Sequence, residues 1–274
     1  LSNDTIDVRG RKVKVFEAGS GEPLVYMHGW ADIHSVTDGL QPFHKALAAG
    51  RHVLAPAHPG VNGSDDLTST WGIEDVVFHW LEVLDALGLD RFDLVGHSFG
   101  GWIAAEVAVR IPERVKRLAL IDAMGLFVEG APTADVFMHA QPERGVDYRT
   151  LRGLLFQSPD APLALEYFPN GRGNIDVEVR RYEMLRLGSF VGFKPPYFYN
   201  RSLRDRLYRA SMPAAVVWGE KDGLVPRAHG EAFAAGLGTG GAKLALVAGA
   251  GHSAPLEQPT ATAKHVNALM ETKI

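Results

Sequence analysis

Three residues in this chain have the types and the order needed for nucleophilic chemistry: Ser98, Asp222 and His252. Ser98 stands in Gly96-His97-Ser98-Phe99-Gly100, the only G-x-S-x-G stretch present. A serine hydroxyl is a weak nucleophile near neutral pH and needs a base beside it. His252, in Gly249-Ala250-Gly251-His252-Ser253, offers an imidazole. That base needs a carboxylate to fix its tautomer and to stabilise the imidazolium. Asp222 is the first choice, because its loop lies directly before the element leading to His252. Asp122, which also follows a strand-like run, is a competitor, and Glu220 a weaker one. The chemistry available to such a set is acyl transfer through a serine-bound intermediate.

Acyl transfer also needs two donors aimed at the developing oxyanion. The amide of Phe99 is one candidate, and the amide of Trp30 in His28-Gly29-Trp30 is the other. The Trp30 side chain would then wall the pocket. His28, Gly29, Trp30, His97 and Phe99 form the expected substrate-contacting set. Each feature has a plainer reading beside it. Ser98 could face solvent on a Gly-rich turn, and Asp222 could be a turn residue ahead of Gly223. His252 is one of 11 histidines, most of which must be structural or exposed.

The elements around these residues decide between the readings. Apolar runs at 12–16, 23–27, 52–55, 92–95, 117–121, 214–218 and 243–247 read as strands. Helical spacing marks 73–87, stopped by Gly88, then 102–110, about 228–236 and 259–270. Strands alternating with helices imply a parallel sheet covered by helices, an α/β fold. The rhythm breaks after Asp122: residues 130–205 carry scattered aromatics and prolines without clear strands, as a helical insertion would. The expected organisation is a core of 1–129 and 206–274 with a helical cap at 130–205. The run 92–95 precedes Ser98 and a helix follows from about Gly101, the strand–turn–helix setting that a strained serine turn requires. All three candidates then lie beyond the C-terminal ends of strands, where open α/β sheets place their sites.

Composition narrows the classes further. The 274 residues are 46% hydrophobic and 22% charged, with a formal net charge of −4. That fits one large globular domain and gives no electrostatic case for nucleic acid or an anionic membrane. The chain has no cysteine, which excludes disulfides, thiolate metal sites and a cysteine nucleophile and fits a cytoplasmic setting. No apolar run approaches the roughly 20 residues of a membrane span. No signal-peptide pattern is visible at Leu1-Ser2-Asn3-Asp4, although the sequence also starts without Met. Gly236-Leu237-Gly238-Thr239-Gly240-Gly241 follows a helix rather than a strand, so the dinucleotide-binding context is missing. His28, His34, His52 and His58 are close in sequence but lack a metal-ligand pattern. No cofactor or metal is expected; the partner is a small-molecule substrate.

Taken together, His28-Gly29-Trp30, Val95 to Gly101, Trp218 to Asp222 and Gly251-His252 resemble the α/β-hydrolase superfamily. The resemblance covers nearly the whole chain outside 130–205. It implies an eight-stranded, mostly parallel sheet, a helical cap over the site and cofactor-free hydrolysis. Dehalogenases and epoxide hydrolases of this fold use aspartate where this chain has Ser98, which disfavours both. Carboxylic-ester hydrolysis is the leading expectation. Carbon–carbon hydrolysis of ring-fission products is the alternative, although Ser253 follows His252 where those enzymes often have tryptophan nearby. Cofactor-free haloperoxidase-like members are close to esterases in sequence. A non-catalytic ligand-binding protein on the same fold is the third reading. Two departures stand out: Ala57 replaces the usual acid and Asn62 a usual glycine in 57–64, and Ala31 replaces a frequent glycine after Trp30. The turn at 57–64 is expected to survive with altered hydrogen bonding, since Asn tolerates left-handed backbone.

Overall fold

The computed structural model describes residues 3–29, 40–67, 69, 72–140, 145, 147–171, 175–192, 195–238 and 240–272. Its centre is an eight-stranded sheet in the order β1-β2-β4-β3-β5-β6-β7-β8. The strands are β1 Asn3–Val8, β2 Arg11–Ala18, β3 Glu22–Met27, β4 Arg51–Pro56, β5 Phe92–His97, β6 Val115–Ile121, β7 Ala214–Gly219 and β8 Lys243–Val247. β2 runs antiparallel to both β1 and β4, and the remaining pairs are parallel.

The apolar runs are continuous because the central strands are covered on both faces. Successive side chains point to opposite sides. Thus Val25 and Met27 of β3, Leu94 of β5, Leu118 and Leu120 of β6, and Val216 and Trp218 of β7 enter one core. Leu24, Tyr26, Val95, Ala119, Ile121 and Val217 enter the other. Helices α2 (Ile73–Ala86), α3 (Ser98–Arg110) and α9 (Arg227–Gly236) cover the first face. α1 (Pro42–Leu47), the short α10 (Ala254–Glu257) and α11 (Pro259–Met270) cover the second. Asp93 is the polar exception inside β5. It is fully buried and held by Arg51 at 3.2 Å and Arg117 at 3.0 Å.

Two expectations differ from the structure. β1 is absent from the sequence reading, because only Ile6 and Val8 interrupt its polar residues. It pairs at the sheet edge through Ile6 opposite Val13. Helix α3 starts at Ser98, not near Gly101. Gly100 and Gly101 look like helix breakers in isolation. Here they are helical because a Cβ on Gly100 would lie 2.1 Å from the Met27 carbonyl oxygen. Close approach to β3 outweighs propensity.

Between β6 and β7 the described residues hold helices and no strand of the sheet: α4 Val136–Ala140, α5 Tyr148–Leu155, α6 Pro162–Tyr167, α7 Ile175–Val191 and α8 Arg201–Arg204. A buried arginine organises part of this segment. Arg152 donates to the carbonyls of Pro159 (2.5 Å) and Phe168 (2.6 Å) and to Asn170 Oδ1 (3.0 Å). Helix α7 is tied to the turn after β4, where Arg186 pairs with Asp66 and the Asn62 amide donates to Glu183 at 3.1 Å. No helix among the described residues is long and apolar enough to cross a membrane.

Candidate active site

Ser98 sits where β5 meets α3, with φ at +55°. Left-handed backbone at a residue with a Cβ costs about 1–2 kcal/mol, so the surrounding structure must impose it. The imposing contacts are identifiable. A Cβ on Gly96 would lie 2.5 Å from the Gly100 carbonyl oxygen, and one on Gly101 2.6 Å from Ala123 Cβ. Only glycine lets strand and helix close on this turn.

His252 Nε2 lies 2.7 Å from Ser98 Oγ, and its Nδ1 lies 2.9 Å from Asp222 Oδ2. Asp222 is further held through Oδ1, which accepts the amides of Leu224 (2.8 Å) and Val225 (2.9 Å). An acceptor-only carboxylate at Nδ1 places the imidazole proton there, leaving Nε2 to accept from the serine hydroxyl. Ser98 is 1% exposed and His252 2%. The structure therefore brings together the three residues singled out by type and order.

The loops carrying Asp222 and His252 are fastened to each other. The Glu220 amide donates to Val247 (3.1 Å) and the Lys221 amide to Ala250 (2.9 Å). A Cβ on Gly219 would lie 1.9 Å from the Gly251 carbonyl oxygen. Glu257 accepts the amides of Gly251 (2.7 Å) and Gln157 (2.8 Å), joining the His252 loop to the end of α5. Burial pushes the Glu257 carboxyl above its ordinary range, partly offset by those two amides. His97 is 1% exposed and bonds the His252 carbonyl through Nε2 at 2.7 Å. Glu220 is exposed.

Asp122 follows β6 and is completely buried, with φ at +45°. Its Oδ1 accepts the Gly219 amide at 2.7 Å. Burial, followed by the negative charge of Asp222, raises its carboxyl well above the usual range.

The Phe99 amide lies in the first turn of α3. Trp30 lies outside the described residues. His28 and Gly29 follow β3 directly. The His28 ring bonds the Gly29 carbonyl through Nδ1 (2.8 Å) and accepts the His58 amide through Nε2 (2.9 Å). His58 in turn meets the His28 carbonyl through Nε2 (2.8 Å) and accepts Trp80 Nε1–H through Nδ1 (3.2 Å). No chemical motif marks His58; in the sequence it stands out only as one of the group His28, His34, His52 and His58 and as the neighbour of Ala57. The turn after β4 keeps its left-handed residues, with φ of +71° at Gly60, +51° at Asn62 and +86° at Gly63. Ala57 takes part through its backbone alone, donating to Lys14 and accepting from Ser64 Oγ, while His58 beside it reaches the His28 loop.

A model of the alpha/beta hydrolase fold matches residues 22–259. A 2-hydroxy-6-oxo-2,4-heptadienoate hydrolase from Pseudomonas putida is 34% identical over 134 residues, covering 48% of this chain and 49% of that protein. A 2-hydroxymuconate semialdehyde hydrolase from a Pseudomonas species is 37% identical over 118 residues, 43% of this chain and 42% of that protein. These matches span about half the length of either curated relative or less. Among solved structures, the naproxen esterase of Bacillus subtilis superposes with a TM-score of 0.77 at 17% identity, covering 98% of this chain and 91% of that one.

Proposed function

Since this chain belongs to the alpha/beta hydrolase fold family, we propose that it is a serine hydrolase cleaving a small carboxylic ester through an acyl-enzyme intermediate. One observation carries the reading: the continuous bonding from Ser98 Oγ through His252 to Asp222, at 2.7 and 2.9 Å. Ser98 attacks the carbonyl while His252 Nε2 takes its proton. Asp222 holds the imidazole and stabilises its charged form. The amides of Phe99 and Trp30 receive the oxyanion. His252 then returns the proton to the leaving alcohol. A water activated by the same imidazole releases the acid. The helices between β6 and β7 act as the cap, held near the site through α7 and Glu257. No cofactor enters this scheme, and the setting is cytoplasmic.

A second reading has its own support. The Pseudomonas relatives are named as hydrolases of 2-hydroxy-6-oxo-2,4-heptadienoate and of 2-hydroxymuconate semialdehyde, which supports carbon–carbon bond cleavage of a vinylogous diketone. Ser253 directly after His252 weighs towards the ester. Purified protein offered short p-nitrophenyl esters, lactones and a ring-fission product ranks the two. Ester turnover with a kcat/KM at least tenfold above that for the diketone supports the first reading, and the reverse order replaces it with the second. Failure of a fluorophosphonate to label Ser98 would leave a ligand-binding protein that does not hydrolyse.

A further inference from the structure

Two acids meet behind His252. Asp122 and Asp222 converge on one residue: the Gly219 amide donates to Asp122 Oδ1 at 2.7 Å, and the Asp222 amide donates to the Gly219 carbonyl at 3.2 Å. Both are buried, Asp122 completely and the Asp222 side chain to 1% exposure. Asp222 accepts from Leu224, Val225 and His252, as an ionised carboxylate does. Asp122 Oδ1 accepts the Gly219 amide, but its Oδ2 has no donor among the described residues. The charged groups with the largest effect on Asp122 are Asp222 and Glu257, both acids. Glu257 is occupied with the amides of Gly251 and Gln157. Two ionised carboxylates side by side and out of water, with no Lys or Arg paired to either among the described residues, repel each other; one proton between them turns the repulsion into a bond.

We infer that Asp122 is kept as a neutral carboxylic acid whose Oδ2–H donates to the Asp222 carboxylate, making it a positioning residue for the proposed triad. The inference rests on the reading of Asp222 as the triad acid. A neutral donor gives Asp222 a fourth hydrogen bond without adding charge. The added bond fixes the orientation of the Asp222 carboxylate against His252 Nδ1–H. The strained backbone of Asp122, at φ +45°, holds the carboxyl between Gly219 and Asp222.

Asp122→Asn tests this, because an amide reproduces the acceptor towards Gly219 and the donor towards Asp222 while being unable to ionise. Difference infrared spectra of the wild type and Asp122→Asn at neutral pH should show a protonated-carboxyl carbonyl band present only in the wild type. The pH profile of Ser98 labelling by a fluorophosphonate should keep its acidic limb within about 0.3 unit in the same variant. Asp122→Leu, lacking the donor, should label at least about tenfold more slowly. If Asp122 is instead ionised, the band is missing and Asp122→Asn lowers the acidic limb by about one unit or more, since a charge supporting the imidazolium is lost. Either result overturns the inference. Should Asp122→Leu not fold, the infrared band and the Asn profile still decide. Should wild-type Ser98 resist labelling, the hydrolase reading fails, while the infrared band still reports on Asp122.

Discussion

His58 lies against His28 with ring centroids 3.7 Å apart, and its Nε2 bonds the His28 carbonyl at 2.8 Å. The His58 amide reaches back to the His28 ring at 2.9 Å. The loop leading to the proposed oxyanion donor is thus gripped from the turn after β4. Both rings are completely buried.

His58→Phe keeps a flat ring in place but removes the bonds that His58 makes to the His28 carbonyl and to Trp80 Nε1–H. Each buried hydrogen bond lost costs about 1–3 kcal/mol if the group is not satisfied otherwise. Part of that cost should appear as displacement of residues 28–29. Loss of one well-placed oxyanion donor costs about 10²–10³ in kcat. We expect kcat on an ester to fall about 10–100-fold, with KM changed less than about threefold. A lower Tm with kcat intact would reduce the His58–His28 contact to a matter of stability alone.

Ser98→Ala removes the proposed nucleophile and should lower kcat by about 10⁴-fold or more. Ser98→Gly should do the same and also raise stability, because φ of +55° suits glycine. The relieved strain is about 1 kcal/mol, measurable by urea denaturation. Residual activity within tenfold of the parent in either variant would remove Ser98 from the mechanism.

Glycine positions make opposite predictions depending on their surroundings. Gly219→Ala would put a Cβ 1.9 Å from the Gly251 carbonyl oxygen, forcing apart the loops that carry Asp222 and His252. Overpacking of this kind costs about 1–3 kcal/mol or more, and activity should fall with it. Gly153 lies exposed in α5, and the nearest atom to an added Cβ is 4.0 Å away. Gly153→Ala should therefore stabilise by about 0.5–1 kcal/mol, with activity unchanged. Thermal melts and ester assays on both variants check the pair; equal effects would mean that crowding at Gly219 relaxes.

Much of this arrangement was legible before the fold was known, for physical reasons. Central strands buried on both faces leave apolar runs such as 24–27, and loops beyond their ends had to carry Ser98, Asp222 and His252. Local chemistry was enough because each of these residues stands in a turn with its own signature. What escaped depended on contacts between distant segments. The start of α3 was hidden because crowding of Gly100 against Met27 is a tertiary effect. His58 was hidden because its partners, His28 and Trp80, lie 30 and 22 residues away. Asp122 was visible as an acid after a strand and entered as a rival to Asp222. Its place beside Asp222, with Gly219 as donor, follows from the β6–β7 pairing, which no single strand reveals.

His79, on α2, should make folding sensitive to acid. It is 3% exposed, and neither ring nitrogen has a hydrogen-bond partner among the described residues. Burial first, then the nearby Arg11 guanidinium, lowers its pKa to about 4 from an ordinary 6.5. The sign follows from which state binds the proton more readily. Above pH 6.5 the ring is neutral in both states and costs nothing by this route. As pH falls below 6.5 the unfolded chain takes up the proton while the folded chain resists until about 4, so stability declines across that window. At 1.36 kcal/mol per unit the gap allows a loss of roughly 3 kcal/mol. His79→Leu fills a similar space without a titrating group. Urea midpoints at about pH 7 and pH 4.5 should differ less in the variant than in the parent. Parallel losses in both proteins would show that the acid sensitivity arises elsewhere, and that the folded interior accommodates a charged His79.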